Sequence, residues 1–292
     1  MKTQNLKTKI FLDSGDPAET KEIINLLGFL DGQTTNPTLI SKNPYARERF
    51  EKGEKFSKQE IYDFYKKVVS DISKLIPDGS ISIEVYADAA TRADEMLKQA
   101  REMFSWIPNA HIKFPTTKEG LKAAEQAIKE GLRINMTLCF SQEQAAAVYA
   151  ATQGAKRGHV FVSPFIGRLD DRGENGMSLI KNILQMYTMG DGHVEVLTAS
   201  VRNIDHFLYA IQLGSDIITA PYKILKEWSE KRLPLPDGNF VYSVNSLKNI
   251  VYKKIDLSRN WQEYDIAHEL TDAGITRFSE DWNNLIVEKK CC

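Results

Sequence analysis

Short runs of alternating apolar and polar residues recur along this chain, separated by longer stretches in which apolar residues return every three or four positions. The runs Ile10–Asp13, Gly32–Thr35, Ile81–Tyr86, His111–Phe114, Leu132–Cys139, Val160–Pro164, Val194–Leu197 and Asp216–Ala220 read as strands. Helical spacing marks Ala18–Leu27, Ser57–Leu75, Thr91–Met103, Lys118–Glu130, Gln142–Thr152, Met177–Met189 and Val201–Leu213. Strand and helix in alternation call for parallel pairing, and eight such units in roughly 250 residues predict a closed (β/α)8 TIM barrel. An open doubly wound sheet is the alternative. It lacks support, because no G-x-G-x-x-G follows the first strand and Asp13-Ser14-Gly15-Asp16-Pro17 is a poor phosphate cradle.

Two stretches exceed a minimal barrel. Ser41–Gly79 joins the second and third strands through a long, charge-rich connection, read as a solvated insertion: a loop followed by a helix around Ile61–Leu75. From Leu233 onward the chain outruns the eight units. Pro234-Leu235-Pro236-Asp237-Gly238 signals a turn, and Asp265–Ile286 has the amphipathic pattern of one or two helices. No Pro-, Gly- or Ser-rich linker, short repeat or low-complexity segment divides the chain. The expected organisation is a catalytic barrel over residues 1–232 and a C-terminal helical extension over 233–292. That extension would cover its own barrel mouth or, in a homo-oligomer, a neighbouring subunit.

Side chains along a strand point alternately to opposite faces, so parity shows which polar residues share the barrel interior. Ile81, Ile83 and Val85 alternate with Glu84, and Ile112 and Phe114 with Lys113. Ile134, Met136 and Leu138 alternate with Asn135 and Thr137; Val160 and Val162 alternate with Phe161 and Ser163. Asp13 is placed by its position at a strand's C-terminal end, where barrels build their active sites. A buried polar group left unsatisfied costs roughly 1–3 kcal/mol, so several strands aiming such groups at one interior point to a reaction centre. Taken singly, each is equally well read as a satisfied core hydrogen bond.

The most informative of these is Lys113, in His111-Ile112-Lys113-Phe114-Pro115-Thr116-Thr117. A neutral amine held in a protein interior can attack a ketone or aldehyde and form a Schiff base; the ordinary alternative is a solvated lysine beside a strand end. Arg168 and Arg202 follow the sixth and seventh strands, on the face where barrels commonly hold phosphate. Arg168 could instead pair locally with Asp170 or Asp171, and these aspartates are expected to orient it. With no histidine near them in sequence, they are not read as a metal site.

Composition narrows the class without naming it. The chain is 42% hydrophobic and 26% charged, as ordinary globular proteins are, and a net charge of −1 provides no basic field for nucleic acid. No apolar run approaches the roughly 20 residues of a membrane span, and no secretory apolar segment follows Met1–Lys7, so a cytoplasmic protein without a membrane partner is expected. Cys139 in a strand and the adjacent Cys291-Cys292 make no disulfide framework. The histidines at 111, 159, 193, 206 and 268 lack zinc-site spacing, and no metal is expected.

Taken together, these residues resemble the transaldolase family over roughly Ile10–Trp228. Gly32-Gln33-Thr34-Thr35-Asn36-Pro37-Thr38-Leu39-Ile40 is similar to the family's Thr-Thr-Asn-Pro signature, and the segment around Lys113 to its Schiff-base motif. The blocks Gly131–Ser141 and Val162–Asp171 follow in the family's order. The resemblance implies transfer of a dihydroxyacetone unit from a ketose phosphate, such as sedoheptulose 7-phosphate or fructose 6-phosphate, to an aldose phosphate, as in the non-oxidative pentose phosphate pathway. It implies sugar phosphates as partners and no cofactor. It also implies that Lys113 forms the imine, Asp13 is the acid/base at the cleaved hydroxyl, and Glu84 works through a water with Thr137. Asn36, Asn135 and Ser163 would hold the dihydroxyacetone portion beside Phe165, and Arg168, Ser200 and Arg202 the phosphate.

Two alternatives stay open. The fructose-6-phosphate aldolase subgroup shares the barrel and lysine but releases free dihydroxyacetone; it typically has glutamine where this chain has Glu84 and tyrosine where it has Phe165, which favours the transferase. A silent sugar-phosphate binding barrel is the other, and intact Lys113, Asp13 and Glu84 argue against it.

Overall fold

The computed structural model describes residues 6–237, 239–243 and 246–287. The chain runs β1 (Lys9–Asp13), α1 (Pro17–Leu27), β2 (Gly32–Thr34), α2 (Pro37–Ser41), α3 (Pro44–Glu51), α4 (Lys58–Leu75), β3 (Ser80–Glu84) and α5 (Ala93–Phe104). It continues with β4 (Ala110–Pro115), α6 (Lys118–Lys129), β5 (Ile134–Cys139), α7 (Gln142–Ala151), β6 (Val160–Pro164), α8 (Ile166–Asp170), β7 (Glu174–Asn175) and α9 (Gly176–Tyr187). The last elements are β8 (Val194–Thr198), α10 (Ile204–Leu213), β9 (Ile217–Ala220), α11 (Tyr222–Glu230), β10 (Lys248–Asn249) and α12 (Glu269–Asn283). Strands β1-β2-β3-β4-β5-β6-β8-β9 close into a parallel barrel, the fold predicted from the alternation of strands and helices.

The sequence shows why these segments stop and start where they do. The outward residues Ile81, Ile83, Ile112, Phe114, Ile134, Met136, Val160 and Val162 are buried. Each such side chain taken out of water stabilises the fold by about 1.5–3 kcal/mol. Ser57 and Glu60 form a reciprocal capping box at the start of α4, while Thr117, Ser141 and Asn203 cap α6, α7 and α10. The Asn203 cap starts α10 three residues later than its periodicity predicts and leaves Arg202 in the preceding loop.

The connection between β2 and β3 differs in part from its prediction. The helix expected around Ile61–Leu75 is present as α4, preceded by α2 and α3; residues 47–60 are mostly exposed, as a solvated insertion would be, but α4 buries Ile61, Tyr65, Val68, Val69 and Ile72. The charges divide between α3 with the exposed loop after it and the outer face of α4, so charge density hides the buried face of that helix. Helix α11, which closes the last unit, and the two-residue pair β7–β10 were not anticipated.

Past α11 the chain wraps the outside of the barrel. Asn182 donates to the Ile250 carbonyl at 2.8 Å, Gln142 exchanges two hydrogen bonds with the Lys253 backbone, and Trp261 donates to Glu125 at 3.0 Å. It then returns as the single helix α12, which packs against α2 and the end of β5 on its own barrel. Three sequence expectations fall outside the described residues: the non-secretory opening at Met1–Asn5, the glycine of the 234–238 turn, and the unpaired Cys291-Cys292. Among the described residues no helix is long and apolar enough to cross a membrane.

Candidate active site

Parallel register aligns Glu84 with Lys113 and Lys113 with Asn135 across β3, β4 and β5. All three side chains therefore point the same way, into the barrel. Lys113 Nζ lies 2.8 Å from Glu84 Oε2 and donates a hydrogen bond to the Thr35 carbonyl at 2.9 Å. Both side chains are buried. Glu84 Oε2 has the Lys113 ammonium as its partner, whereas Thr137 Oγ1 is a buried oxygen with no hydrogen-bond partner among the described residues. Native interiors rarely leave such atoms unsatisfied, and a functional role is one of the standard reasons.

Asp13, at the end of β1, accepts from Thr34 Oγ1 at 2.6 Å, and Thr34 is in turn 2.6 Å from Thr219 Oγ1. Asp13 touches the cavity yet is surrounded by protein, and burial raises its pKa against the opposing pull of Lys113, the Thr34 hydrogen bond and Lys42. Burial likewise raises the pKa of Glu84, opposed by Lys113 and Arg168. Asn135 is fully buried beneath the cavity wall; it accepts from Ser163 Oγ at 2.6 Å and donates to Ser82 Oγ at 3.0 Å. Asn36 spends its carbonyl oxygen capping α2 at Leu39 N, 2.9 Å away, which leaves its amide NH₂ for a ligand.

A cavity of about 300 Å³ opens at the C-terminal ends of the strands. Asp13, Asn36, Lys113, Thr137, Ser163, Phe165, Arg168, Ser200 and Arg202 line it; Glu84 and Asn135 stand just behind. Backbone strain shapes this end of the barrel. Leu138, with φ 58°, sits where the β5–β6 register shifts, and Ser200 has φ 61°. A non-glycine residue in that region costs on the order of 1–3 kcal/mol and clusters at functional sites. Gly167 brings the two arginines together: a Cβ there would fall 2.2 Å from Arg202 Nε and 2.4 Å from the Ser200 carbonyl oxygen.

The aspartates after Arg168 do not serve it as expected. Asp171 pairs with Arg202 at 2.6 Å, and Asp170 accepts from Gly176 N at 2.9 Å and contacts His206 Nε2 at 2.8 Å. The histidine absent from their sequence neighbourhood arrives from α10. Arg168 instead lies between two rings, Phe165 and Phe278, each 5.4 Å from its guanidinium carbon.

Sequence reasoning missed three contributors. Tyr65 of α4 reaches the site from behind, 2.6 Å from Thr35 Oγ1 and accepting the Glu84 N–H at 3.0 Å. Since Thr35 Oγ1 donates to the Ser82 carbonyl at 2.7 Å, the tyrosine hydroxyl donates to Thr35. Its helical spacing with Ile61, Val68 and Ile72 marks it only as core. Arg277 and Phe278 of α12 also line the cavity, and nothing local in the sequence ties them to the barrel mouth.

The family model for transaldolase/fructose-6-phosphate aldolase matches residues 10–289, nearly the whole described chain. The chain belongs to this family. A probable transaldolase of Dehalococcoides mccartyi is 37% identical over 277 residues, covering 95% of this chain and 99% of that one. One from Thermoplasma volcanium is 34% identical over 282 residues, covering 97% and 98%, and one from Brucella ovis is 41% identical over 218 residues, covering 75% and 87%. A solved structure of 3-hexulose-6-phosphate synthase from Salmonella typhimurium matches more distantly, with TM-score 0.48 and 12% identity over 77% of this chain and 97% of that one. The transaldolase family match reaches through α12, well beyond the Ile10–Trp228 stretch whose motifs carry the resemblance.

Proposed function

We propose that this protein is a transaldolase that moves a dihydroxyacetone unit from a ketose phosphate, sedoheptulose 7-phosphate or fructose 6-phosphate, to an aldose phosphate through an imine on Lys113. The observation that carries the reading is a buried lysine in charge contact with a buried glutamate, beside a cavity that also presents Asp13 and two arginines. Lys113 Nζ adds to the ketone carbon, and loss of water gives the protonated imine. Asp13 takes the proton of the hydroxyl two carbons from the imine carbon, the bond from that carbinol carbon to the carbon next to the imine breaks, and the aldose leaves. The electron pair stays on the enzyme-bound three-carbon unit as an enamine. That carbon then attacks the acceptor aldehyde, whose oxygen takes the proton back from Asp13, and hydrolysis of the imine frees the new ketose.

The remaining residues follow from this chemistry. Glu84, beside Lys113, and Thr137, with its free hydroxyl oxygen, pass protons through a water during imine formation and hydrolysis. Ser163, with Asn135 behind it, and the Asn36 amide hold the dihydroxyacetone hydroxyls beside Phe165. Arg168, Arg202 and Ser200 hold the phosphate. Cytoplasmic sugar-phosphate metabolism, by the non-oxidative pentose phosphate route, is the setting that suits these substrates.

Purified protein incubated with fructose 6-phosphate, with and without erythrose 4-phosphate, tests the reading. Sedoheptulose 7-phosphate formed only with the acceptor is the expected result. Free dihydroxyacetone released without acceptor would assign the aldolase activity instead, and neither product would overturn both.

A further inference from the structure

Helix α12 carries a glycine in mid-helix, Gly274, where an alanine would be more stable by about 1 kcal/mol. Its reason is contact: a Cβ there would lie 2.6 Å from Leu138 Cδ2 and 2.7 Å from Arg168 Nη1. Either side of that approach the helix is fastened down. Thr271 Oγ1 donates to the carbonyl of the strained Leu138 at 2.9 Å and accepts from Gln144 Nε2 at 2.8 Å. Further along, Thr38 on the cavity wall donates a hydrogen bond to Asp281. The helix is thus held at both ends against the barrel mouth, and the residues between these anchors that reach the cavity are Arg277 and Phe278.

Arg277 has little competing for its charge. Its nearest carboxylate among the described residues is Asp281, at 3.9 Å, and the same Asp281 oxygen accepts the Thr38 hydroxyl. The cavity it faces is lined, among the described residues, by Lys42, Lys113, Arg168, Arg202 and Arg277 against the carboxylate of Asp13, with Glu84 behind Lys113. Such a concentration of cations in a protein of net charge −1 focuses an anion into this site. Arg202 is already half-committed to Asp171 at 2.6 Å, and Arg168 is stacked between rings, so a phosphate reaching this wall meets Arg277 as the least engaged guanidinium.

Resting on the transaldolase reading above, we propose that Arg277 is a third phosphate-binding residue, supplied by the C-terminal helix of the same chain, and that it sets the preference for phosphorylated over unphosphorylated sugars. It acts on binding and takes no part in bond breaking, so its loss should appear in KM and not in kcat. The side chain is mostly exposed, so its replacement leaves the packing of α12 on Leu138 and Arg168 intact.

Arg277→Ala and Arg277→Lys are compared with the unaltered protein by calorimetric titration with inorganic phosphate and by kinetics with fructose 6-phosphate and with unphosphorylated fructose. Removal of one charge-assisted contact should weaken phosphate binding and raise KM for fructose 6-phosphate by about 10-fold, with kcat and kcat/KM for fructose changed less than about twofold. Arg277→Lys should recover part of the loss. Phosphate affinity and KM unchanged in Arg277→Ala would overturn the proposal while leaving the transferase reading intact. A protein that binds phosphate through Arg277 but yields no transfer product would do the reverse.

Discussion

The two ends of the barrel interior both bury ionisable side chains, and they treat them differently. At the N-terminal end Glu195 is 3% exposed, but its partners Lys9 and Arg157, at 3.0 and 3.8 Å, are 43% and 60% exposed and run their charges out to water. Above it His111 stacks on Phe161 with ring centroids 4.2 Å apart and meets the Gly158 carbonyl at 2.9 Å. At the C-terminal mouth Lys113 and Glu84 are 4% and 5% exposed, so neither charge reaches solvent, and a cavity lies beside them. Burial of a charge therefore does not by itself mark a reaction centre. The base has charges tied to the surface and stacked rings; the mouth has charges confined together beside a cavity, carboxylates pushed toward protonation, and strained backbone.

The largest effect belongs to the mouth. Lys113→Met should bring transfer below detection in the fructose 6-phosphate assay while circular dichroism keeps the barrel signal; residual transfer above a thousandth of the original rate would remove Lys113 as nucleophile. Asp13→Asn should lower kcat by about 10²–10⁴-fold, the range for a general acid/base. The acid limb of the kcat/KM profile in the unaltered protein should lie above the ordinary carboxylate value of 3.8, because burial raises the Asp13 pKa and activity is lost as pH falls through it. A raised folded pKa also means that ionised Asp13 weakens the fold at neutral pH, and that this penalty is relieved as pH falls. Asp13→Asn should therefore be more stable than the original at pH 7 in urea unfolding, and a less stable variant would contradict the burial argument.

The fold and the floor of the site were legible for one physical reason: both depend on period-two alternation. Lys113, Glu84, Asn135 and Ser163 can be placed inside the barrel from their strand neighbours alone, and all four lie there. What could not be read depends on chain segments distant in sequence. The Asp170–His206 and Asp171–Arg202 pairs need the segments around α8 and α10 to meet, and the positive φ of Leu138 breaks the extended backbone that its place in the alternating run predicts. Tyr65 looks like any core position of α4, since only the tertiary fold shows its hydroxyl between Thr35 and Glu84. The charge-rich segment before β3 misled because charge density reports one face of a helix and says nothing of the other.

Two smaller effects sharpen the contrast. Tyr65→Phe removes the hydrogen bonds that fix Thr35, whose carbonyl holds Lys113, and the Glu84 backbone. It should cost about 1–3 kcal/mol of stability and lower kcat with KM unchanged; an unaltered kcat would mean that Tyr65 only packs. At the base, burial depresses the His111 pKa to about 3 from 6.5. Neutral His111 thus contributes fully above pH 6.5, and that contribution is lost as pH falls from 6.5 toward 3, because the unfolded chain binds the proton and the native one does not. His111→Phe should flatten the loss of stability between pH 7 and pH 4, read by urea unfolding at intervals, and leave kcat within about twofold, in keeping with a residue remote from the cavity.

The most direct test of the central claim is covalent capture at the mouth. The protein is treated with sodium borohydride in the presence of fructose 6-phosphate, digested, and mapped by mass spectrometry. The account predicts a reduced three-carbon adduct on the peptide containing Lys113, absent without substrate and absent in Lys113→Met. An adduct on another lysine, or none while transfer proceeds, would contradict it.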